Sequence, residues 1–302
     1  FILSHVYLRP FVEGRFDYGS FLWARLSRIY PVHLVTLAAT ILIWLVALEM
    51  GASFSPMAFD PAVLPQHLML IHAWGTTPTV QWNFPSWSIS AEWFAYLTFP
   101  VAALLVLAFR RRPAAGLALA MALFVLMAVL SQRLGLPLPE ITRLGVVRVA
   151  PAFLTGAAAY GLGRRFTLPR KAALAGALLA TVWVVVASSL RAPDIAIWPA
   201  FPLLILSLAE AARTAPFRGL GAAPFVYLGE VSYAVYMTHL PVDIAYFHAL
   251  DRLAPGVAGP AAWIAWTGVF VVTMLVSAAV YHLVERPART WMRAHDPFAR
   301  KR

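Results

Sequence analysis

The sequence predicts an all-α, polytopic bundle of transmembrane helices, and three features of its composition support this prediction. The 302-residue chain is 61% hydrophobic and has a mean hydropathy of +0.73. Only 12% of its residues are charged, against ~25% in a typical soluble domain. Cysteine is absent, which excludes disulfides, cysteine-ligated zinc, iron–sulfur clusters and thiol catalysis.

Apolar stretches long enough to cross a bilayer recur along the whole chain, which is predicted to form a single membrane domain over residues 1–302. A helix of about 17–25 apolar residues covers the ~30 Å of hydrocarbon in a bilayer. Such segments must be helical, because lipid offers no hydrogen-bond partners to an open backbone. Residues 1–8 read as the tail of an earlier helix, so a first helix is expected upstream of Phe1. No soluble domain is expected after the last span. Eight full spans are predicted at 30–49, 87–109, 114–131, 146–163, 172–190, 195–212, 225–250 and 261–284.

The basic residues are concentrated on one side of the predicted membrane. Nineteen of the 24 lysine and arginine residues fall on the same side as residues 9–28, and five fall on the other side. Basic residues are enriched in cytoplasmic loops, so this side and the C-terminus are predicted to be cytoplasmic. The net charge of +11 would also suit a nucleic-acid partner, but short basic clusters between apolar stretches are typical of membrane topology. No nucleic-acid partner is therefore predicted.

The predicted outer loop at 50–86 contains no lysine or arginine and carries five prolines. Its apolar piece at 62–72 is too short to span a bilayer, and it fits an ordinary external loop and a re-entrant or interfacial segment about equally well. His67 and His72 bracket this piece, but a separation of five residues does not align two ligands on one helical face. His33 is isolated in the sequence. No metal site is predicted.

Arg25 and Arg28 lie on one helical face at the start of the first predicted span, within the sequence RLSRIYP. The simpler interpretation is a positively charged anchor on the cytoplasmic side. The alternative is a phosphate clamp, because guanidinium groups match the oxygens of phosphate. Glu285, at the end of the last span, is a candidate partner for either arginine. Pro287 is expected to help end that span, because proline cannot continue the helical hydrogen bonding.

A second polar group begins the span at 87–109, in the sequence WNFPSWSISAEWFAY. Ser88 and Glu92 are four residues apart and therefore share one helical face. A carboxylate in an apolar helix needs a partner, a proton or a polar cavity. Asn83 and Trp87 are predicted to line the same polar region, although tryptophans at this position also fit an interfacial belt.

A third polar group lies on the span at 225–250. Ser232, Tyr236 and His239 follow one another at i, i+4 and i+7, which places them along one stripe, with Glu230 and Tyr233 beside them. A single histidine in a core is more often structural than catalytic. A stripe of hydroxyls and an imidazole on an apolar helix indicates instead the lining of a cavity.

The two polar helices together predict one shared cavity. Leaving Glu92 or His239 in lipid would be costly, roughly 2.5–3.5 kcal/mol for an acidic group at mid-bilayer, so both side chains should face inward. The expected first helix would close the cavity. Two separate structural hydrogen bonds are the alternative.

Taken together, these segments resemble the acyltransferase-3 family of bacterial membrane proteins, which includes O-acetylases of sugars and polysaccharides. Each segment is weak alone, but all occur in the family's order and spread over the whole chain. The matching segments are FILS at 1–4, RLSRIYP at 25–31, WSISAE at 87–92, LGEVSY at 228–233 with its continuation to His239, and ERP at 285–287.

The resemblance implies transfer of an acyl group, usually acetyl from cytosolic acetyl-CoA, to a hydroxyl of an extracytoplasmic or lipid-linked carbohydrate. It implies a multi-pass protein of the bacterial inner membrane whose partners are membrane lipid, acyl-CoA and the carbohydrate acceptor. Acyl-CoA is a donor substrate, and no permanently bound cofactor is expected.

The resemblance also distributes roles among residues. It assigns Arg25 and Arg28 to the donor side, and it places the main catalytic histidine on the first helix, upstream of Phe1. Within the present chain, Glu92 and His239 are the predicted catalytic residues. The predicted lining residues are Asn83, Trp87, Ser88, Glu230, Ser232, Tyr233, Tyr236 and Glu285.

Two other classes of function compete with this interpretation. A transporter or flippase for a lipid-linked sugar would favour broken helices and inverted repeats, and the two halves of the sequence show no clear symmetry. A structural membrane subunit would not need Glu92, Glu230 or His239 within its spans.

Overall fold

The computed structural model describes residues 1–51, 58–79, 81–135, 144–214 and 221–299. These residues contain thirteen α-helices and no β-strand. Arg143, Arg218 and the basic end of the chain at 300–302, which contributed to the charge asymmetry, lie outside them. The helices are α1 (Ile2–Val12), α2 (Tyr18–Glu49), α3 (Leu64–Leu68), α4 (Trp87–Leu97), α5 (Phe99–Ala108), α6 (Pro113–Arg133), α7 (Gly145–Gly163), α8 (Arg170–Ser189), α9 (Asp194–Ile197), α10 (Ala200–Thr214), α11 (Ala223–Leu253), α12 (Pro260–Val280) and α13 (Arg286–Ala294).

The predicted polytopic helical fold is confirmed. Among the described residues, six helical stretches are long and apolar enough to cross a membrane, and a bent pair of helices brings the number to seven. The predicted span at 225–250 forms the continuous helix α11, which is not among them because its polar stripe lowers its hydropathy. The count of eight spans therefore stays a prediction.

Two boundaries differ from the sequence prediction for physical reasons. The span at 87–109 is broken by a 55° bend between α4 and α5, where Pro100 lies in the first turn of α5. The first span begins at Tyr18 rather than at residue 30, because the Asp17 side chain caps α2 by accepting a hydrogen bond of 2.8 Å from the Ser20 amide. Arg25 and Arg28 therefore lie well inside a helix.

The expected end of the last span at Pro287 is wrong. After α12, residues Tyr281–Glu285 form a π-helical turn, and the chain continues without interruption into α13. Pro287 lies in the first turn of α13, directly after Arg286, whose amide donates to the Tyr281 carbonyl of the π-helical turn, so the helix continues past a residue that has no N–H to donate.

The chain divides into two compact units, and the first comprises residues 1–16 and 94–222. It contains α1 and α5 to α10, with α6 packed on α7 and α8 packed on α10. Aromatic contacts order its interior. The rings of Phe124 and Trp198 stack with centroids 3.8 Å apart, and Phe16 contacts Phe99 at 5.7 Å.

The second unit comprises residues 17–93 and 223–302. It contains α2, α3, most of α4 and α11 to α13. Trp23 donates a hydrogen bond of 2.5 Å to the Met292 carbonyl and so joins α2 to α13. Gly19 admits the ring of Phe298, since a Cβ at this position would lie 2.5 Å from that ring.

Within the second unit, the segment between α2 and α4 folds back along α2. The Tyr30 hydroxyl donates to the Leu68 carbonyl at 3.1 Å, and His33 Nε2 donates to the His67 carbonyl at 2.9 Å. His33 lies 16 residues before Glu49, the end of α2, which corresponds to about 24 Å along the helix axis. Whether residues 62–72 form an external loop or a re-entrant or interfacial segment stays a prediction.

Three histidines that are separate in the sequence form one buried stack at this contact. His72 lies between His33 and His67, with ring centroids 6.0 and 3.9 Å away and nearly parallel planes. His72 Nε2 is 3.1 Å from the Ser86 hydroxyl, which ties the stack to the residues that precede α4. The prediction that His33 is isolated is wrong, because the fold-back brings distant residues together. No group of three histidine or acidic residues in the described ranges has a metal-binding arrangement.

We expect the second unit to lose stability as the pH falls from 7.5 to 5, because His67 and His72 stay neutral in the fold. Burial, with smaller contributions from neighbouring histidines, lowers the pKa of His67 to about 2 and that of His72 to about 3. Below pH 6.5 the unfolded chain binds protons that the folded chain does not. The free energy of unfolding should therefore fall steadily as the pH is lowered through this range.

Melting temperatures measured in detergent across this pH range test the expectation. A His67→Gln/His72→Gln double variant should show a flatter dependence on pH, whereas the single variant His248→Gln, at an exposed position of α11, should keep the wild-type slope. Equal slopes for the double variant and the wild type would contradict the assignment.

Candidate active site

The predicted donor-side residues form an ion-pair cluster in the second unit. The Glu285 side chain is 0% exposed and pairs with Arg28, and Arg289 Nη1 lies 3.5 Å from the same carboxylate oxygen. The Arg28 guanidinium also lies 5.7 Å from the centroid of the Tyr233 ring. Of the two arginines proposed as partners of Glu285, the structure selects Arg28.

This cluster fixes the Arg28 guanidinium and leaves part of it accessible. The Arg28 side chain is 30% exposed, whereas Glu285 is fully buried. A guanidinium has five N–H donors, so pairing with one carboxylate leaves donors that can bind a phosphate. Arg25, three residues earlier on α2, is half-buried.

The two predicted polar stripes meet through a pair of hydroxyl groups. Ser88 Oγ lies 2.8 Å from the Tyr236 hydroxyl, and that hydroxyl donates to the Pro85 carbonyl at 2.9 Å. The start of α4 and the middle of α11 are therefore in direct contact. Glu92, one turn after Ser88 on the same face, and Trp87 are half-buried. A tunnel joining Glu92 to His239 stays a prediction.

His239 is held in a defined tautomer by its own helix. Its Nδ1 lies 2.7 Å from the Tyr236 carbonyl, and because a carbonyl only accepts hydrogen bonds, this nitrogen carries the proton. In the neutral imidazole, Nε2 is then the unprotonated nitrogen and can accept a hydrogen bond. His248 and His295 make similar bonds to carbonyls of their own helices, so the arrangement alone does not mark a catalytic group.

Four predicted lining residues have partners that the sequence did not indicate. The exposed Ser232 hydroxyl donates to the Gly229 carbonyl of its own helix, and the Tyr233 hydroxyl donates to the Ile29 carbonyl of α2 at 2.5 Å. Glu230 accepts a hydrogen bond of 2.9 Å from Tyr281. Asn83 is 1% exposed and donates to the Met237 carbonyl at 2.9 Å. Because each group has a protein partner, none of the four depends on a ligand for its hydrogen bond.

Several participants were missed by reasoning from the sequence. Arg289 follows Glu285 by four residues, so helical spacing alone could have found this contact. The contacts of Ser86 with His72 and of Asn83 with Met237 join residues that are 14 and 154 positions apart, and no local pattern indicates them.

We expect Glu285→Gln to lower the melting temperature, because Arg28 and Arg289 would then lack their shared counter-charge. Breaking a buried ion pair costs roughly 3–5 kcal/mol, and the partial exposure of Arg28 favours the lower end of that range. Glu13→Gln is the control, since the ion pairs of Glu13 with Arg9 and Arg15 are exposed and should contribute little. Equal melting temperatures for the two variants would contradict a stabilising role of Glu285.

Comparison with known proteins agrees with these features. The model of the acyltransferase-3 family, described as an acyltransferase domain, matches residues 3–282. The chain is 31% identical over 328 residues to acyltransferase MdmB from Streptomyces mycarofaciens, in an alignment that covers 99% of this chain and 81% of that protein. No solved structure gives a significant match. With several helices that are long and apolar enough to cross a membrane, the chain is a multi-pass membrane acyltransferase and belongs to the acyltransferase-3 family.

Proposed function

We propose that this acyltransferase moves an acyl group, in the simplest case acetyl, from a cytosolic acyl-CoA to a hydroxyl of an extracytoplasmic or lipid-linked carbohydrate. The observation that carries the proposal is the partly exposed Arg28, held by the buried Glu285. The nucleotide of CoA carries several phosphates, and a fixed guanidinium binds phosphate oxygens in a defined orientation. Arg25 is proposed to contribute a second cation from the same face of α2.

The acceptor half of the proposal rests on Ser88, Tyr236 and His239. His239 Nε2 would accept a hydrogen bond from the attacking hydroxyl and orient its oxygen, and Glu92 would accept a second one from the carbohydrate. The oxygen attacks the thioester carbon, a C–O bond forms, the C–S bond breaks, and the hydroxyl proton ends on the departing thiolate.

The proposed reaction requires a fixed orientation, with the C-terminus and Arg28 on the cytoplasmic side of a bacterial inner membrane. The distribution of lysine and arginine supports this orientation. Ser53 and Arg302, obvious positions for topology probes, lie outside the described residues. Glu49, at the end of α2, and Ala299 are exposed and replace them.

We expect a cysteine introduced at Glu49 to react with a membrane-impermeant maleimide in intact cells, and a cysteine at Ala299 to react only after the cells are lysed. The chain has no native cysteine, so each variant carries a single thiol. Labelling at position 299 but not at position 49 in intact cells would reverse the orientation and exclude a cytosolic donor at Arg28.

Transfer kinetics of the full-length protein test the roles of the site residues. Arg28→Lys should raise KM for acyl-CoA about tenfold, because lysine lacks the planar pair of donors. Glu92→Gln and His239→Ala should each lower kcat at least about tenfold. The controls are Arg252→Lys and His248→Ala; His248 makes a similar carbonyl contact on the same helix.

Each failure has a distinct meaning. An unchanged KM in Arg28→Lys would leave the arginines as a topological anchor. Full activity in both Glu92→Gln and His239→Ala would remove the proposed acceptor site. Carbohydrate movement without consumption of the thioester would favour the transporter alternative.

A further inference from the structure

A proline inside α11 leaves one backbone carbonyl without its helical partner. Pro241 has no N–H, so the carbonyl four residues earlier, that of Met237, receives no hydrogen bond from the helix at that position. Met237 and Pro241 are both buried, so water does not reach this carbonyl from the surface of the second unit. A buried carbonyl without a donor is costly.

Asn83 supplies the missing donor. Its Nδ2 lies 2.9 Å from the Met237 carbonyl, and the side chain is 1% exposed. A carbonyl accepts only, so the amide nitrogen must face it, and the opposite atom, Oδ1, is buried without a hydrogen-bond partner among the described residues. The hydrogen bond to the Met237 carbonyl therefore fixes the orientation of the Asn83 side-chain amide.

This contact lies beside the hydroxyl pair of the candidate active site. The Asn83 carbonyl accepts the Ser86 amide at 2.9 Å, which shapes the turn that leads into α4 and Ser88. Residues 83–88 thus contact α11 at two consecutive positions, Tyr236 and Met237, and the Tyr236 carbonyl in turn holds the imidazole of His239.

We propose that Asn83 is a positioning residue for acyl transfer, which uses the carbonyl opened by Pro241 to hold the Tyr236–His239 turn of α11 against Ser88. The inference rests on the proposed function of these residues, but the contact itself does not depend on it. Asn83 acts through Tyr236 and His239, the residues whose helical turn it holds. A proline that breaks a helical hydrogen bond thereby becomes a docking point for the segment that starts α4.

A double-mutant cycle between Asn83 and Pro241 tests this inference. Asn83→Leu keeps the branched shape and the number of heavy atoms of the side chain but removes the donor, and Pro241→Ala returns an N–H to the Met237 carbonyl. Asn83→Leu should lower kcat about tenfold with KM for acyl-CoA unchanged, because the Arg28 cluster does not depend on this contact. In the Pro241→Ala background the Met237 carbonyl has a helical donor, so adding Asn83→Leu should change kcat by less than about threefold relative to the Pro241→Ala single variant. Pro151→Ala, at an interior proline of α7, is the matched control, and in its background Asn83→Leu should keep its full effect.

A second readout does not require activity. Cysteines at Ser88 and Tyr236 in this thiol-free chain should be joined by a short bifunctional maleimide, less efficiently with Asn83→Leu, and Asn83→Leu should cause little further loss in the Pro241→Ala background. This pattern in cross-linking without any transfer from acyl-CoA would support the contact and refute the proposed function alone. Independent effects of Asn83→Leu and Pro241→Ala in both readouts, or wild-type kcat in Asn83→Leu, would overturn the positioning role.

Discussion

Polar groups buried among apolar helices must find partners within the protein, and in the second unit this constraint is met largely by the segment between α2 and α4. Its backbone receives hydrogen bonds from Tyr30 and His33 on α2. Its Asn83 side chain donates to α11 at Met237. The segment between α2 and α4 therefore connects α2 to α11 and satisfies polar groups on both helices. The polar start of α4 follows directly after this segment.

The ion pairs of Glu285 form a cluster that shares no residue with these neutral hydrogen bonds. Glu285 is fully buried and is matched by Arg28 from α2 and Arg289 from α13, so a single carboxylate ties both helices together. The π-helical turn ends at Glu285, and α13 begins at the next residue. Breaking such a pair leaves a buried charge without compensation, which costs more than the pair contributes while intact. The position of Arg28 thus depends on the distant end of the chain.

Contacts between residues close together in the sequence could be predicted, whereas most contacts between distant residues could not. Apolar runs gave the helices, and helical spacing placed Ser88 with Glu92 and Tyr236 with His239. The bend between α4 and α5 and the π-helical turn were missed. Each lies next to a proline, and a proline in a sequence does not show whether a helix bends, ends or continues there. The histidine stack and the Asn83 contact were also missed. Both join residues that are distant in the sequence, through a fold-back that no local periodicity encodes. A single histidine or asparagine in a sequence also does not show whether its side chain is buried or exposed.

The separation of charged from neutral contacts matches the two demands of acyl transfer from a thioester in the proposed reaction. A phosphate-bearing donor needs cations whose direction is fixed, and the buried Glu285 provides that direction for Arg28. An acceptor hydroxyl needs a hydrogen-bond acceptor, and in the neutral imidazole of His239 the Tyr236 carbonyl directs the proton to Nδ1 and leaves Nε2 to accept. Arg28 and His33 are only five residues apart on α2, about 7.5 Å along its axis, so the ion pair and the fold-back are fixed by neighbouring turns of one helix. A displacement of α2 would therefore disturb both contacts together, which makes this helix the element that links the charged cluster to the fold-back segment.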